Sequence, residues 1–181
     1  MEDGPKRTLG NEQDRAEIRE IIYGLARAID RMDWDSVTSL SDADTFYDYG
    51  AYSGDTAGLV AWMSERHKNV FRSTHHIGNI LAEFAGDAAL VETYVNSVQM
   101  VPSATDQGQH VNVLACARYV DEFRRAGGTW RLKSRQVVVD NQVITPALPL
   151  TAGVNEGRRD REDRLWGERS RLGIGTSTAE L

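Results

Sequence analysis

The sequence predicts an α+β fold, a cone-shaped α+β barrel in which three N-terminal helices pack on a curved, mostly antiparallel sheet. Three observations support this prediction. Apolar residues recur at helical spacing in the first third of the chain, extended segments follow one another after residue 73, and glycine-containing turns separate those segments. Helices first and strands afterwards are typical of a domain whose helices cover one face of a sheet.

The first helix is predicted over residues 11–32, where apolar side chains recur every three or four residues along one face. This stripe contains Ile18, Ile21, Ile22, Leu25, Ala26 and Ile29. Either Asn11 or Asp14 is expected to cap the helix start. A short second helix is predicted over 34–41 and a third over 55–72, with an aromatic-rich strand between them at 44–52.

The sheet is predicted from four extended segments, at 75–84, 88–101, 109–124 and 129–142. We therefore place the barrel domain at 11–150, after a flexible N-terminus at 1–10. A charged C-terminal tail follows at 151–181, with a short helix around Trp166 as one alternative. We expect this tail either to be solvated or to lie as an arm on a neighbouring subunit.

Composition excludes several classes of function. The 181 residues carry a net charge of −6, whereas a nucleic-acid surface needs a basic footprint. The only cysteine is Cys116, so no disulfide can form within the chain. The polar N-terminus lacks the apolar core of a signal peptide, and no stretch reaches the roughly 18 apolar residues of a membrane span. The expectation is a soluble, cytoplasmic protein.

No motif for a cofactor or a metal is present. The chain has no phosphate-binding loop, no paired Cys-x-x-Cys and no nucleophile elbow, and its histidines are scattered. We therefore expect no cofactor and no metal, with side chains alone performing any chemistry.

Two adjacent histidines, His75 and His76, stand at the start of the first long strand. Neighbouring side chains in a strand point to opposite faces, so one imidazole faces a core or cavity and the other points away. Which of the two faces inward decides the site.

Asp30 lies at the flank of the apolar stripe of the first helix, about 20° from Tyr23 in projection. A carboxylate there is either a half-exposed surface group or the polar lip of a pocket between helix and sheet. Asp33 competes for this role but is expected to belong to the following turn.

The strand at 109–124 has two unlike faces. One carries Val111, Val113, Ala115, Ala117, Tyr119 and Phe123, and the other carries His110, Asn112, Leu114, Cys116 and Arg118. Polar groups among apolar neighbours suit a small-molecule cavity, so the second face is predicted to line it, with an ordinary sheet edge or interface as the alternative. On the last strand, Arg131, Lys133 and Arg135 are predicted to share a face, where an inward arginine would bind an anion or a carbonyl group.

The order of elements, together with the Thr-His-His-Ile-Gly-Asn strand, the Gly86-Asp87-Ala88 turn and the segment from Asp121 to Arg135, resembles the SnoaL-like branch of the nuclear-transport-factor-two superfamily. The resemblance covers roughly residues 10–147. It is greatest to the group that contains gamma-hexachlorocyclohexane dehydrochlorinase and scytalone dehydratase. This scaffold hosts lyases, isomerases, cyclases and binding proteins, so fold alone does not define the reaction.

The resemblance implies roles for individual residues. Asp30 and His75 match the Asp–His dyad of the dehydrochlorinase, with His75 as general base, and Arg135 matches an arginine near its pocket. Leu25 stands where the dehydrochlorinase has a lysine that faces its leaving group, so the resemblance does not extend to halide elimination. The tyrosines Tyr23, Tyr47 and Tyr49 are similar to those that hold a carbonyl group or a water molecule in scytalone dehydratase.

The function that these residues imply is a cofactor-independent lyase that acts on a small cyclic or aromatic substrate. An isomerase that shares the proton abstraction is one alternative, and a non-catalytic binding or assembly module is another. The candidate site comprises His75 and Asp30 as catalytic residues, with substrate contacts from Tyr23, Tyr47, Tyr49, His110, Asn112 and Arg135. A homo-oligomer, preferably a trimer, is predicted to form through the Val111–Tyr119 face, because a row of apolar residues exposed on a monomer would be a liability.

Overall fold

The computed structural model describes residues 10–175 and is a mixed α+β domain. Four helices are present in this part of the chain: α1 (Glu12–Asp30), α2 (Trp34–Ser39), α3 (Thr56–His67) and α4 (Arg164–Arg171). The strands are β1 (Phe46–Asp48), β2 (Ser53–Gly54), β3 (Arg72–Ala85), β4 (Ala88–Pro102), β5 (His110–Ala126) and β6 (Thr129–Pro146). Apart from Gly10, the predicted flexible N-terminus lies outside the described residues, as do residues 176–181 of the predicted tail.

The helix predictions agree with the structure to within a few residues at each end. The side chain of Asn11 caps α1 by accepting a hydrogen bond from the backbone N–H of Asp14 at 2.8 Å. The α1 stripe then packs on the sheet, with Ile18 and Ile22 fully buried. The third helix ends at His67, five residues before the predicted end, because the chain turns there into β3.

The sheet has the order β2-β1-β6-β5-β4-β3, and all neighbours are antiparallel except the β1–β6 pair. The predicted turn at Ser53–Gly54 is itself a short strand, which pairs with β1. Gly86 has a φ of 61° in the β3–β4 turn, a conformation that glycine adopts without steric cost. The prediction of an α+β barrel with helices on a curved antiparallel sheet is confirmed.

Three irregularities interrupt the pairing of the long strands, between Ile77 and Ile80 on β3 and opposite Cys116/Ala117 and Glu122/Phe123 of β5. An extra residue in one strand bends it and shifts the side-chain alternation beyond that point. On β6 the extra residue is Lys133, since Leu132 pairs with Phe123 and Ser134 pairs with Glu122. The prediction that Arg131, Lys133 and Arg135 share a face is therefore wrong.

The C-terminal segment is solvated only in part. Residues 151–158 are exposed, as predicted for a solvated tail, whereas Arg159, Asp163, Trp166 and Arg169 are buried against the same chain, contrary to that prediction. The segment forms α4 around Trp166, as the alternative proposed, and Trp166 is buried. Arg161 reaches Asp33 with Nη2 at 3.2 Å from Oδ1, and Glu156 forms an ion pair with Arg72 at 2.8 Å. This segment therefore covers the end of the barrel where α1 meets α2 and β3.

No helix among residues 10–175 has both the length and the apolar character needed to cross a membrane.

Candidate active site

A cavity of about 340 Å³ lies between the concave face of the sheet and the helices. Apolar side chains from α1, α3 and strands β4, β5 and β6 form most of its wall, among them Ile29, Trp62, Met63, Val95, Val113, Ala115, Ala117, Val137 and Val139. The polar groups on the wall are few: Tyr49, Arg66, His67, His75, Ser97, Gln99, Tyr119 and Gln142. A concave, mostly apolar space with several polar groups is what a small-molecule site requires.

His75 faces this cavity, and His76 does not. His75 is among the lining residues and His76 is not. His76 is exposed, and it lines a depression between α1 and β3 that Asp30 and His75 also border, and a second one beside β4 and β5. The alternation of the strand therefore separates the two imidazoles as the sequence predicts, and the inward ring is that of His75.

Asp30 and His75 are hydrogen-bonded. His75 Nδ1 lies 2.7 Å from Asp30 Oδ1, and the backbone N–H of His75 donates to Asp30 Oδ2, also at 2.7 Å. The hydroxyl of Ser73 donates to Asp30 Oδ1 at 2.8 Å. Both side chains are nearly buried, with exposures of 9% for His75 and 12% for Asp30. Of the two alternatives for Asp30, the carboxylate at the lip of a pocket is the one observed, because it lines a depression between α1 and β3 and reaches the apolar cavity through His75. Asp33 lies in the turn before α2, as expected, at the N-cap position of that helix.

The charge state of Asp30 determines the tautomer of His75. Burial by itself would raise the pKa of the Asp30 carboxyl, but the hydrogen bonds from His75 and Ser73 outweigh it and hold that pKa below its ordinary value. An ionised carboxylate only accepts hydrogen bonds, so Nδ1 of His75 carries the proton. The lone pair of the neutral ring is then on Nε2, the nitrogen that does not contact Asp30.

The prediction for the two faces of β5 is wrong. The cavity is lined by Val113, Ala115, Ala117 and Tyr119. The side chains between them, those of Asn112, Leu114, Cys116 and Arg118, therefore point to the convex side of the sheet. The physical reason is burial, because the helices cover the concave face and apolar side chains gain most there, whereas Arg118 on the convex face bonds Glu92 and Asp140. The face predicted as a subunit interface is therefore the cavity wall, which removes the basis given for the oligomer. The homo-oligomer itself stays a prediction that light scattering would test.

Other predicted contact residues are dispersed. His110 packs edge-on against Phe71, with ring centroids 4.3 Å apart, and does not line the cavity. Tyr23 is 42% exposed and does not line the cavity, but it borders the depression between α1 and β3 together with Asp30 and His75. Tyr47 is 1% exposed in the core, where its hydroxyl pairs with Ser41, and burial raises its pKa to about 12.

Tyr49 is the predicted tyrosine that does line the cavity. Its hydroxyl oxygen is buried and has no hydrogen-bond partner in the described part of the chain. Burial raises the pKa of this hydroxyl, and the nearby positive charge of Arg135 counteracts the rise. Tyr49 therefore remains a neutral donor that a bound oxygen atom can satisfy.

Arg135 lies one layer behind the cavity wall. Its guanidinium forms two hydrogen bonds with Asp121, from Nε to Oδ1 at 2.9 Å and from Nη2 to Oδ2 at 2.7 Å, and both side chains are almost fully buried. Burial would lower the pKa of Arg135, but the Asp121 carboxylate raises it well above its ordinary value. The guanidinium also lies over the ring of Tyr119, 4.1 Å from its centroid, and Tyr119 lines the cavity.

Sequence reasoning missed three residues of this region: Asp121, His67 and Arg159. Asp121 lies between Tyr119 and Phe123 on the inward face of β5. A carboxylate on a face that is otherwise apolar is unusual, and this was the signal in the sequence. His67 follows Met63 by four residues and so continues the buried stripe of α3. Arg159 has no local signal, because its contacts are all made to distant parts of the chain.

Comparisons with known proteins agree with this architecture. Residues 12–136 match the model of the SnoaL-like domain. The uncharacterized proteins Rv2910c of Mycobacterium tuberculosis and Mb2934c of Mycobacterium bovis are each 29% identical over 126 residues, covering 67% of this chain and 82% of theirs.

Among solved structures, the hexachlorocyclohexane dehydrochlorinase LinA-type3 from Novosphingobium barchaimii is similar, with a TM-score of 0.64 and 18% identity over 81% of this chain and 98% of that one. A protein described as a candidate scytalone dehydratase from Novosphingobium aromaticivorans has a TM-score of 0.63 and 15% identity, covering 81% and 97%. At these identities the two structures establish the fold alone. The match to the domain model extends over more than half of the sequence, and the chain therefore belongs to the SnoaL-like domain family.

Proposed function

We propose that this protein is a cofactor-independent lyase that removes water or another small fragment from a small cyclic or aromatic substrate. The observation that carries the proposal is the hydrogen bond between His75 Nδ1 and Asp30 Oδ1 at the wall of an apolar cavity. A histidine held in this tautomer presents an unprotonated Nε2, which is the group needed to abstract a proton.

Asp30 supports this chemistry in two ways. It orients the imidazole through Oδ1 and fixes the adjacent backbone through Oδ2. Its negative charge stabilises the imidazolium that forms when His75 accepts a proton, as a carboxylate does beside a catalytic histidine in hydrolases. The apolar wall excludes water and strengthens this interaction.

An isomerase and a non-catalytic binding module are the alternatives that the same scaffold allows. One of the similar solved structures is a hexachlorocyclohexane dehydrochlorinase. An isomerase would use the same abstraction by His75 and return the proton to another carbon atom. A binding module would need the cavity but would not need an unprotonated Nε2 on His75.

The test is a screen of aromatic and alicyclic alcohols, including β-hydroxyketones, with wild-type protein and with His75→Ala. Loss of water to form a conjugated product is followed by ultraviolet absorbance and mass spectrometry. We expect turnover by the wild type and its loss in the variant. A product of unchanged mass would assign an isomerase instead, and ligand binding with no turnover by either protein would assign a binding module.

A further inference from the structure

We infer that His67 is a second functional histidine of this cavity, whose Nε2–H donates a hydrogen bond to the carbonyl oxygen of a cyclic ketone substrate. This inference rests on the proposed function and narrows its substrate class. It is carried by an arginine outside the family domain, Arg159, which determines where the proton of His67 resides.

Arg159 inserts a buried guanidinium between α1, α3 and the start of β3. Its Nε donates to the carbonyl oxygen of Asp30 at 3.0 Å, and its Nη2 donates to that of Ile29 at 3.1 Å. Its Nη1 donates to the carbonyl oxygen of Val70 at 2.6 Å. Nη2 also lies 2.7 Å from Nδ1 of His67. The side chain is 7% exposed, so water does not compete for these contacts.

The contact with His67 determines the tautomer of that ring. A guanidinium has donors and no acceptor, so Nδ1 of His67 must be the acceptor and must be unprotonated. The proton of the neutral ring is then on Nε2. His67 is among the residues that line the cavity, and its ring meets that of Trp34 edge-on with centroids 5.6 Å apart. Within residues 10–175 the hydrogen bond that its ring makes is the one from Arg159 to Nδ1. Nε2–H is therefore the donor that remains for a bound molecule.

The surroundings of His67 keep it neutral. Burial lowers its pKa from 6.5 to about 4, and the positive charges of Arg159 and Arg66 act in the same direction. A proton on His75 also disfavours a proton on His67, and only Asp30 opposes these effects. A histidine at the end of a helix ordinarily gains from being charged, as His67 would at the last residue of α3. Here burial and the neighbouring cations outweigh that gain.

The two imidazoles consequently have opposite roles. His75 has its proton on Nδ1, bonded to Asp30, and presents a lone pair on Nε2. His67 has its lone pair on Nδ1, bonded to Arg159, and presents a proton on Nε2. One histidine accepts a proton and the other donates a hydrogen bond, which is the pair of groups that enolisation of a ketone requires.

For a β-hydroxyketone the step balances without another reactant. Nε2 of His75 removes the proton from the carbon next to the carbonyl group, and the electron pair of that C–H bond moves to the carbonyl oxygen. The hydrogen bond from His67 stabilises the enolate oxygen. When the enolate collapses, the bond to the β-hydroxyl breaks, and that group leaves as water with the proton returned by His75.

Arg159 lies beyond residues 12–136, which match the family model, so family membership does not imply this arrangement. The segment after the barrel supplies a residue that the cavity needs, although that segment does not line the cavity. Arg159 is thus a positioning residue, and His67 is the residue that contacts substrate.

The first measurement is the ¹⁵N chemical shifts of the His67 ring in the full-length protein between pH 5 and 8. We expect an unprotonated Nδ1 and a protonated Nε2 throughout this range. A ring protonated on Nδ1, or a mixture of tautomers, would overturn the inference. This measurement needs no substrate and no variant.

The second measurement compares the affinities of 1-tetralone and its hydrocarbon counterpart tetralin by NMR titration. His67→Asn keeps an acceptor near Arg159 and loses the donor, whereas His67→Gln keeps a donor near the position of Nε2. We expect His67→Asn to lower the affinity for 1-tetralone about tenfold and to leave the affinity for tetralin unchanged. The affinity of His67→Gln for 1-tetralone should be close to that of the wild type. Equal effects on both ligands, or equal effects of both variants, would overturn the inference.

These results are separable from those that test the lyase. If turnover requires His75 but substitution of His67 leaves the affinity for 1-tetralone unchanged, only the present inference fails. If the affinity follows His67 while His75→Ala turns over as well as the wild type, the lyase proposal fails and the carbonyl contact stands.

Discussion

The carboxylate of Asp30 accepts a hydrogen bond from both the backbone N–H and the ring Nδ1 of His75, each at 2.7 Å. One side chain on α1 thus fixes both the position of β3 and the orientation of an imidazole on it. The ring is held at the cavity wall because the backbone that carries it is held by the same group.

Replacing His75 by Gln should lower turnover by about 10²–10⁴-fold, because the general base is removed while the size of the side chain is nearly kept. His76→Gln is the matched control, since His76 is the next residue on the opposite face of the same strand. It should retain most activity. Steady-state rates and circular dichroism of the two variants decide the assignment, and equal tolerance of both substitutions would contradict it.

Asp30→Asn should also cause a large loss of activity, on the order of 10²–10⁴-fold. An amide has one acceptor oxygen for the three donors that now meet the carboxylate, and its NH₂ group would face one of them. The His75 tautomer is then no longer fixed, and no negative charge stabilises the imidazolium. Ser73→Ala removes one donor and keeps the carboxylate. Its activity should stay near the wild-type level, and a comparable loss in both variants would point to general disruption.

Arg135→Met should lower the free energy of unfolding by about 3–5 kcal/mol, because it leaves the Asp121 carboxylate buried without a partner. The double variant with Asp121→Leu removes both charges and should recover a substantial part of that loss. Urea denaturation of the single and double variants measures the coupling. Additive effects of the two substitutions would show that the pair contributes nothing as a pair.

The stability of the protein should depend on His67 between pH 4 and 6.5. The pKa of His67 is lowered from 6.5 to about 4 by burial and by Arg159, so in this window the unfolded chain binds a proton that the folded protein does not. The contribution is present above pH 6.5 and is lost as the pH falls toward 4, by an amount on the order of 2–3 kcal/mol.

The measurement is the pH dependence of the free energy of unfolding in the wild type and in His67→Phe. The difference between their two curves isolates His67 from the carboxyl groups that titrate in the same range. It should slope between pH 4 and 6.5 and be level above that. A level difference throughout would show that His67 is not held neutral.

Truncation after Thr151 removes Arg159, Asp163 and Trp166, all of which are buried against the rest of the chain. The carbonyl groups of Ile29, Asp30 and Val70 then lose their donor, so the melting temperature should fall by several degrees. Arg164→Ala in the full-length chain is a control at an exposed position of α4. A truncated chain as stable as the full-length chain would contradict the packing of this segment.

The sequence by itself determined the order of the helices and of the long strands. The isoleucine stripe of α1, the turns at Gly86 and at Gly127–Gly128, and the alternation that separates His75 from His76 are all local patterns. Resemblance to a family then identified Asp30 as the partner of His75, and both residues lie where that resemblance placed them. Local periodicity suffices for such features because each repeats within a few residues.

The tertiary structure decided which face of each strand lines the cavity and which distant residues complete it. An alternating strand with mixed faces does not reveal its inward side, and one extra residue, Lys133, reverses the alternation before Arg135. The contacts of Arg135 with Asp121, and of Arg159 with His67, join separate elements. They form only when the sheet curves and the C-terminal segment packs on α1. A buried guanidinium is costly unless its N–H groups donate to acceptors, and those acceptors come from distant parts of the chain that sequence spacing does not reveal.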